Sequence, residues 1–334
     1  MSEIIKQHAP KILAEIKKAN SILLHCHPSP DPDSVGSALA MKLAIEQLGK
    51  KATLIRGDSE IPKVFAFPGV ETILQKSFGE IDASEFDLFI ILDSSTPNMV
   101  SFKAPVIFPE SMMTIVIDHH VSNAQYGKMN CVDSSYPATA QLLFDLFKEM
   151  GIKLNHDIAL NLFMGIYTDT GGFKYRGATA DTLKVASELA ALAPDYVSHI
   201  FRLENSNTKE ALIYQGLALS SIKEFCDGKV AVGSVSYAQL QENNIKEEDY
   251  AATSMANVIK SVVGFEIGVM LLEKEPGRVT VGMRTRDADR FDVSKLAVAL
   301  GGGGHKAAAG AKLSMNIAEA CEKVVKTAKE LYNL

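Results

Sequence analysis

Apolar residues follow two rhythms along this chain. Short, nearly unbroken runs occur at 21–26 (SILLHC), 51–56 (KATLIR), 86–93 (FDLFIILD) and 114–118 (TIVID). Their length and their Leu, Ile and Val content suit strands of a parallel sheet covered on both faces. Elsewhere apolar positions recur every three to four residues, predicting an amphipathic helix over the first 20 residues and helices over 138–151, 155–171, 179–193 and 208–225. The alternation predicts an α/β fold with a doubly wound, mainly parallel sheet. The strand rhythm returns at 229–237, 265–275 and 278–286, before a final helix from Asn316, which predicts a smaller C-terminal α/β domain with a mixed sheet. Pro194 and the polar stretch ENSNTKE mark the change, so the expected domains are 1–193 and 228–334, joined by a helical linker over 194–227.

Composition narrows the class. A chain of 334 residues, 47% hydrophobic, can bury an ample core and by length divides into about two domains. Cys26, Cys131, Cys226 and Cys321 stand far apart without a CxxC pair, which argues against a zinc ribbon and a disulfide framework and fits a reducing cytoplasm. No apolar run approaches the ~18 residues of a membrane span. A net charge of -6 lacks the basic excess of a protein that tracks long nucleic acid, so a nucleic-acid ligand is expected to be short.

Candidate chemistry gathers where the first strands end, the usual ligand crevice of an open α/β sheet. HPSPDPD supplies His27, Asp31 and Asp33, its prolines predicting an extended loop from which the two acids diverge. Asp93 ends the third run, Asp118, His119 and His120 end the fourth, and Asp169 lies in GIYTDTGG. Taken singly, Asp93 or Asp169 is better explained as a cap and HPSPDPD as a surface turn. Jointly, five acids and two or three histidines at the ends of one sheet's elements call for cations, because a desolvated carboxylate needs a partner. Mixed imidazole and carboxylate ligands without thiolate suit Mn²⁺, Co²⁺, Fe²⁺ or Zn²⁺ better than Ca²⁺ or Mg²⁺. Asp93, on a central strand, is the candidate bridge between two ions, and paired ions that activate water predict phosphoester hydrolysis. His25 is expected to point away from His27 and to be structural or supporting, with Cys26 a small buried residue and His8, His156 and His199 solvated.

These stretches, HPSPDPDSVGS, Asp93 in ILDSS, DHH at 118–120 and Asp169 in GIYTDTGGF, resemble in order and context the motifs of the DHH phosphoesterase superfamily. GGGGHKAAAG at 301–310 resembles the signature of the DHH-associated domain, so the likeness spans nearly the whole chain. Length and layout are most similar to the bacterial nanoRNase and pAp phosphatase type, which acts on very short oligonucleotides and on 3'-phosphoadenosine 5'-phosphate (pAp). The resemblance implies two Mn²⁺, with Co²⁺ or Mg²⁺ as substitutes. One would be held by His27, Asp31 and Asp93, the other by Asp33, Asp93, His119 and Asp169. It implies that His120 faces the scissile phosphate as hydrogen-bond or proton donor and that Asp118 orients a neighbouring histidine. It further implies that Arg284 and His305 bind substrate phosphate, with Gly303 and Gly304 allowing close backbone approach. The expected ligands are short RNA or DNA oligonucleotides, pAp or dinucleotides, with no membrane and no long nucleic acid; a homodimer is compatible with this reading.

Beyond Arg284 the stretch TRDADR departs from the family pattern. Arg286 and Arg290 could offer extra guanidinium forks to a phosphate, but pairing with Asp287, Asp289 and Asp292 on a solvated turn is the simpler expectation. Lys174 and Tyr175 could line the cleft, although surface positions explain them as well. The alternative functions are a phosphodiesterase for cyclic or linear di-adenylate, a family II pyrophosphatase, a RecJ-like exonuclease and a non-catalytic nucleotide-binding protein. The pyrophosphatase would need an Arg-Lys-Lys cluster absent from the second domain, and the exonuclease would ordinarily be longer.

Overall fold

The four apolar runs of the first half become four neighbouring strands of one sheet. In the computed structural model, which describes residues 2–175, 177–251 and 254–334, β1 is Ile22–His25, β2 Ala52–Ile55, β3 Leu88–Leu92 and β4 Met113–Asp118. A fifth strand, β5 at Met129–Val132, was not legible as a run because only Cys131 in it is fully buried. The order is β2-β1-β3-β4-β5 and every pairing is parallel. Leu24 lies opposite Ile90 and Leu92 opposite Ile117, so the carboxyl ends of β1, β3 and β4 stand side by side.

Among the described residues six α-helices accompany this sheet: α1 Glu3–Lys18, α2 Pro32–Gln47, α3 Thr139–Glu149, α4 His156–Asp169, α5 Ala180–Leu192 and α6 Tyr196–Glu204. The alternate residues Ile22, Leu24, Ile90, Leu92, Ile115 and Ile117 face the helical core with Ile12, Leu39, Leu143 and Phe163. Leu23, Ile55, Phe89, Ile91 and Val116 face the other side. Connecting segments cover that side with a chain of rings, Phe78 to Phe89 at 5.8 Å, Phe89 to Phe108 at 6.0 Å and Phe108 to Tyr126 at 6.3 Å. Each such large side chain fully removed from water contributes about 1.5–3 kcal/mol. With both faces sealed, polar chemistry is left to the strand ends.

The chain divides into two compact units, Met1–Ser206 and Asn207–Leu334. The second opens with α7 (Lys209–Ser220) and builds a six-stranded mixed sheet from β6 (Lys223–Phe225), β7 (Val230–Val235), β8 (Ile267–Glu275), β9 (Arg278–Thr285), β10 (Gly303–His305) and β11 (Ala308–Leu313). Its order is β10-β11-β9-β8-β7-β6, parallel only between β7 and β8. The remaining helices are α8 Tyr237–Glu242, α9 Glu247–Ala251, α10 Met255–Ile259, α11 Val293–Ala299 and α12 Ile317–Tyr332. The helix expected over 208–225 stops at Ser220. Residues 223–225 instead pair antiparallel with β7 across a turn whose Cys226, Asp227 and Gly228 all have positive φ.

On β8 and β9, Ile267, Val269, Leu271, Val279, Val281 and Met283 pack toward α11 and α12. The alternate residues Met270 and Leu272 pack with Ala256 and Ile259 of α10 on the opposite face. Strand alternation therefore assigns Gly268 and Arg284 to the α10 face. No helix among the described residues is long and apolar enough to cross a membrane.

Candidate metal centre

His27 follows β1 by two residues, and Asp31 is the N-cap of α2, accepting from Ser34 N at 2.8 Å. The expectation of an extended HPSPDPD loop is corrected at its second half. Pro32 occupies the first turn of α2 and Asp33 is already helical, because a proline with fixed φ and no N–H opens a helix as readily as it extends a loop. Asp33 is fully buried and bonded across the fold: its carboxylate accepts from Thr139 N at 2.7 Å and Ala140 N at 2.9 Å. The N-cap of α3 is Ala138, which has no side-chain oxygen, so Asp33 caps that helix from another element.

Asp93 leaves β3 with φ 52°, the left-handed region that aspartate tolerates better than most residues. Its backbone N–H still donates to Ile117 O at 3.1 Å, and Thr139 Oγ1 donates to its Oδ1 at 3.0 Å. Asp118 is the last residue of β4, followed by His119 and His120, and Asp169 is the last residue of α4.

The structure brings these side chains into one cluster. His27 Nε2 lies 3.2 Å from Asp31 Oδ2 and 3.7 Å from Asp93 Oδ2. His119 Nε2 lies 3.6 Å from Asp93 Oδ1 and 3.3 Å from Asp169 Oδ2. Three groups of possible ligands have one donor atom per residue within 4.8 Å of the others: His27, Asp31 and Asp93; Asp33, His119 and Asp169; and Asp93, His119 and His120. His120 also meets Asp118, its Nδ1 standing 2.7 Å from Asp118 Oδ1, while its side chain is 43% exposed.

The electrostatics are those of anions and imidazoles confined together. Burial, then the Asp31 and Asp169 charges, pushes Asp93 up to about 6, and burial with Asp93 and Asp169 raises Asp33 well above the carboxylate range. Burial would lower His119, but Asp169, Asp33 and Asp93 raise it to about 10. Asp118 is held low against its burial by His120 and by Asn123, whose Nδ2 donates to Oδ2 at 2.6 Å. His119 Nδ1 stands 3.3 Å from Tyr136 O, whereas its Nε2 is buried without a hydrogen-bond partner and aimed at Asp93 and Asp169. With Nδ1–H on that carbonyl, a cation displacing the Nε2 proton would meet a lone pair there, the arrangement of a ligating histidine held by an outer carbonyl. The donor set therefore fits divalent cations, which would relieve the repulsion among the carboxylates.

His25 lies outside the cluster, fully buried, with its ring edge-on to Phe89 at 5.3 Å; burial, with His27 nearby, pushes it down to about 3. Lys174 and Tyr175 are exposed on the turn after Asp169. Thr139, Asn123 and Gly165 are supports that sequence reasoning passed over. A Cβ on Gly165 would sit 2.6 Å from Asp33 Oδ1 and 2.8 Å from Ala140 Cβ, so the absence of a side chain makes room for the acid. Its position four residues before Asp169 on one helix was the available signal.

The second-unit candidates line up across their own sheet. Gly268 on β8 pairs with Arg284 on β9, Arg284 with Ala308 on β11, and Ala308 with His305 on β10. Directly paired residues share a face, so Arg284 and His305 are on the same side with only alanine between. Gly303 and Gly304 belong to β10, which is a hairpin strand; Gly304, with φ 143°, would place a Cβ 2.5 Å from Ala309 Cα. The expected pairing of Arg286 with nearby acids does not occur: its guanidinium donates to the carbonyls of Lys260 and Val262 at 2.8 Å and of Phe265 at 3.3 Å. These carbonyls follow the end of α10, from its C-cap Lys260 onward, where a planar fork of donors has several acceptors within reach. Asp287 is taken up by backbone N–H groups, and Arg290 stacks over Phe291 at 4.9 Å.

Comparison with known proteins adds identity to this geometry. Residues 21–166 match the model of the DHH family, N-terminal domain, and residues 227–333 that of the DHHA1 domain. The bifunctional oligoribonuclease and PAP phosphatase NrnA of Thermus thermophilus is 30% identical over 96% of this chain and 93% of its own length. A probable enzyme of the same description from Streptococcus mutans is 26% identical over 92% of this chain and 94% of its own. Among solved structures, an exopolyphosphatase-related protein from Bacteroides fragilis superposes with a TM-score of 0.89 at 21% identity, covering 98% of this chain and 97% of that one, which shows a shared fold.

Proposed function

Because the chain belongs to the DHH family and is matched over most of its length by oligoribonuclease and PAP phosphatase relatives, we propose that it is a phosphoester hydrolase that uses two Mn²⁺ to cleave very short oligoribonucleotides and pAp. The observation that carries this reading is the carboxylate of Asp93. Its two oxygens face two different histidines, Oδ2 toward His27 at 3.7 Å and Oδ1 toward His119 at 3.6 Å, each with its own further acid. One buried carboxylate shared between two ligand groups supports a bridge between two cations.

His27, Asp31 and Asp93 would hold one ion and Asp33, Asp93, His119 and Asp169 the other. When bound, such a pair supplies Lewis acidity toward a phosphoryl oxygen and lowers the pKa of water. The protein's own part is positional. Asp33, fixed by the first turn of α3, and Asp93, fixed by Thr139 and Ile117 O, are set before any ligand arrives. His120 is the exposed histidine of the cluster, and Asp118 at its Nδ1 leaves Nε2 free to protonate a leaving oxygen. In the second unit, Arg284 and His305 would bind substrate phosphate away from the scissile bond, with the bare backbone of Gly303 and Gly304 beside them.

The test is hydrolysis against substrate length with Mn²⁺ present. The reading expects kcat/KM for 5'-phosphorylated RNA to peak at roughly two to four nucleotides, with pAp also cleaved, and to fall sharply for a 20-mer. The salt dependence should be shallow compared with the log-log slope of about 0.7 per phosphate neutralised that a basic single-strand track would give. Equal kcat/KM on a dimer and a 20-mer would contradict it and favour an exonuclease. Preferential cleavage of cyclic di-adenylate would move the assignment to a dinucleotide phosphodiesterase on the same centre.

A further inference from the structure

Lys260 is the C-cap of α10, on the face of the second sheet that carries Arg284 and His305. The helix end comes down hard on the strand below it: a Cβ on Gly268 would lie 2.6 Å from Lys260 N and 3.1 Å from Lys260 Cβ. Gly268 is the direct partner of Arg284, so Lys260 sits at one end of the row Gly268, Arg284, Ala308, His305. Arg286 fixes it there through the carbonyls of Lys260, Val262 and Phe265. Those bonds use the guanidinium to hold backbone and leave the Lys260 ammonium to itself.

Lys260, Arg284 and Arg286 are thus gathered at one end of one sheet face. Among the described residues no carboxylate lies within ion-pair distance of Lys260. Its ammonium is pushed below the usual lysine range by burial and then by Arg284 and Arg286. Like charges repel, and an anion bound beside Lys260 would relieve the repulsion that Arg284 and Arg286 exert on it. The floor beside them is backbone. Gly282, Gly310 and Gly303 form the next row on this face, and a Cβ on Gly282 or Gly303 would meet no atom within 4 Å.

We propose that Lys260 is a third anion ligand beside Arg284 and His305, that the three hold a phosphate of the substrate other than the one being cleaved, and that Arg286 is the positioning residue that sets Lys260 in place. The identity of the phosphate as part of a substrate rests on the proposed function; the anion site itself does not. Its chemistry selects a dianionic terminal phosphate over a bridging monoanionic one, because Lys260 and Arg284 each add more for the second charge. A 5'-phosphorylated dinucleotide or pAp should thus be preferred to an unphosphorylated dinucleotide.

The experiment separates binding from turnover. The full chain, metal-free in EDTA, is titrated calorimetrically with pAp, and wild type, Lys260→Ala and Lys260→Arg are compared after their circular dichroism is shown to coincide. Lys260→Ala should weaken pAp binding about tenfold or more, as loss of a hydrogen bond to a charged group does, and Lys260→Arg should recover most of it. Arg286→Ala should weaken binding as well, but the double variant should be no weaker than Lys260→Ala, since one change acts through the other. Unchanged pAp affinity in Lys260→Ala would overturn the anion site, and additive losses would overturn the positioning role. With Mn²⁺ restored, the ratio of kcat/KM for pApA over ApA should fall in Lys260→Ala. If wild type hydrolyses neither pAp nor dinucleotides while Lys260→Ala still loses pAp affinity, the functional reading fails and the anion site stands.

Discussion

The two units solve opposite problems with charged side chains. In the first, Asp33, Asp93 and Asp118 are buried and hydrogen-bonded, Asp33 and Asp93 from a distant helix and Asp118 from the turn that follows it. In the second, His305 is exposed and Arg284 half-buried, standing in a row on an open sheet face. Desolvated acids crowded together are costly without a cation, and their geometry is correspondingly over-determined. Polar side chains on a half-open face cost little to place, because they stay partly hydrated. On the proposed function the contrast would be a division of labour: fixed geometry where bonds would break, and more exposed polar groups where the ligand would be recognised.

Substitutions can break that comparison in graded ways. The largest effect is expected at His120. His120→Ala should lower kcat by roughly 10²–10⁴-fold, as loss of a general acid does, while elemental analysis shows the metal content retained. Loss of metal in that variant would instead make His120 a ligand, as its grouping with Asp93 and His119 permits. Next comes Arg284→Ala, which should reduce kcat/KM on pAp by roughly 10–100-fold, the worth of a hydrogen bond to a charged group, and much less on bis-p-nitrophenyl phosphate. Equal losses on both substrates would erase the division between the units.

Smaller effects test the scaffold. Gly165→Ala pushes a methyl group against Asp33 and Ala140 and should cost about 1–3 kcal/mol of stability in a denaturant titration, as overpacking does. The same variant should bind Mn²⁺ more weakly. Smallest is Thr139→Val, which removes the bond from Oγ1 to Asp93 but leaves the Thr139 backbone N–H on Asp33. It should cost about 1 kcal/mol. An effect as large as that of His120→Ala would mean that Thr139 does more than hold Asp93.

Much of the fold was legible because parallel strands buried on both faces leave unbroken apolar runs, and the acids and histidines stand conspicuously at their ends. β5 was not, since as an edge strand it needs no such run. Asp33 was read as part of an extended loop because proline is compatible both with extension and with the start of a helix, and only the packing of α3 onto that carboxylate distinguishes them. Thr139 carries no sequence signal of its own and Gly165 only its spacing from Asp169, because each matters through a residue more than 40 positions away. Arg286 was misread for a related reason: its three carbonyl partners lie 21 to 26 residues earlier, and the acids adjacent in sequence offered a plausible local pairing.

The central claim is that Asp93 joins two cation sites in one catalytic centre, and a Mn²⁺ titration followed by calorimetry and elemental analysis tests it most directly, on wild type and on Asp93→Asn. Wild type should bind two Mn²⁺ per chain. Asp93→Asn should lose affinity at both sites, by more than the roughly 10–100-fold typical of losing an outer partner of a ligand, and hydrolysis should fall with it. Two Mn²⁺ bound by Asp93→Asn with wild-type affinity, or a single Mn²⁺ in the fully active wild type, would contradict the account.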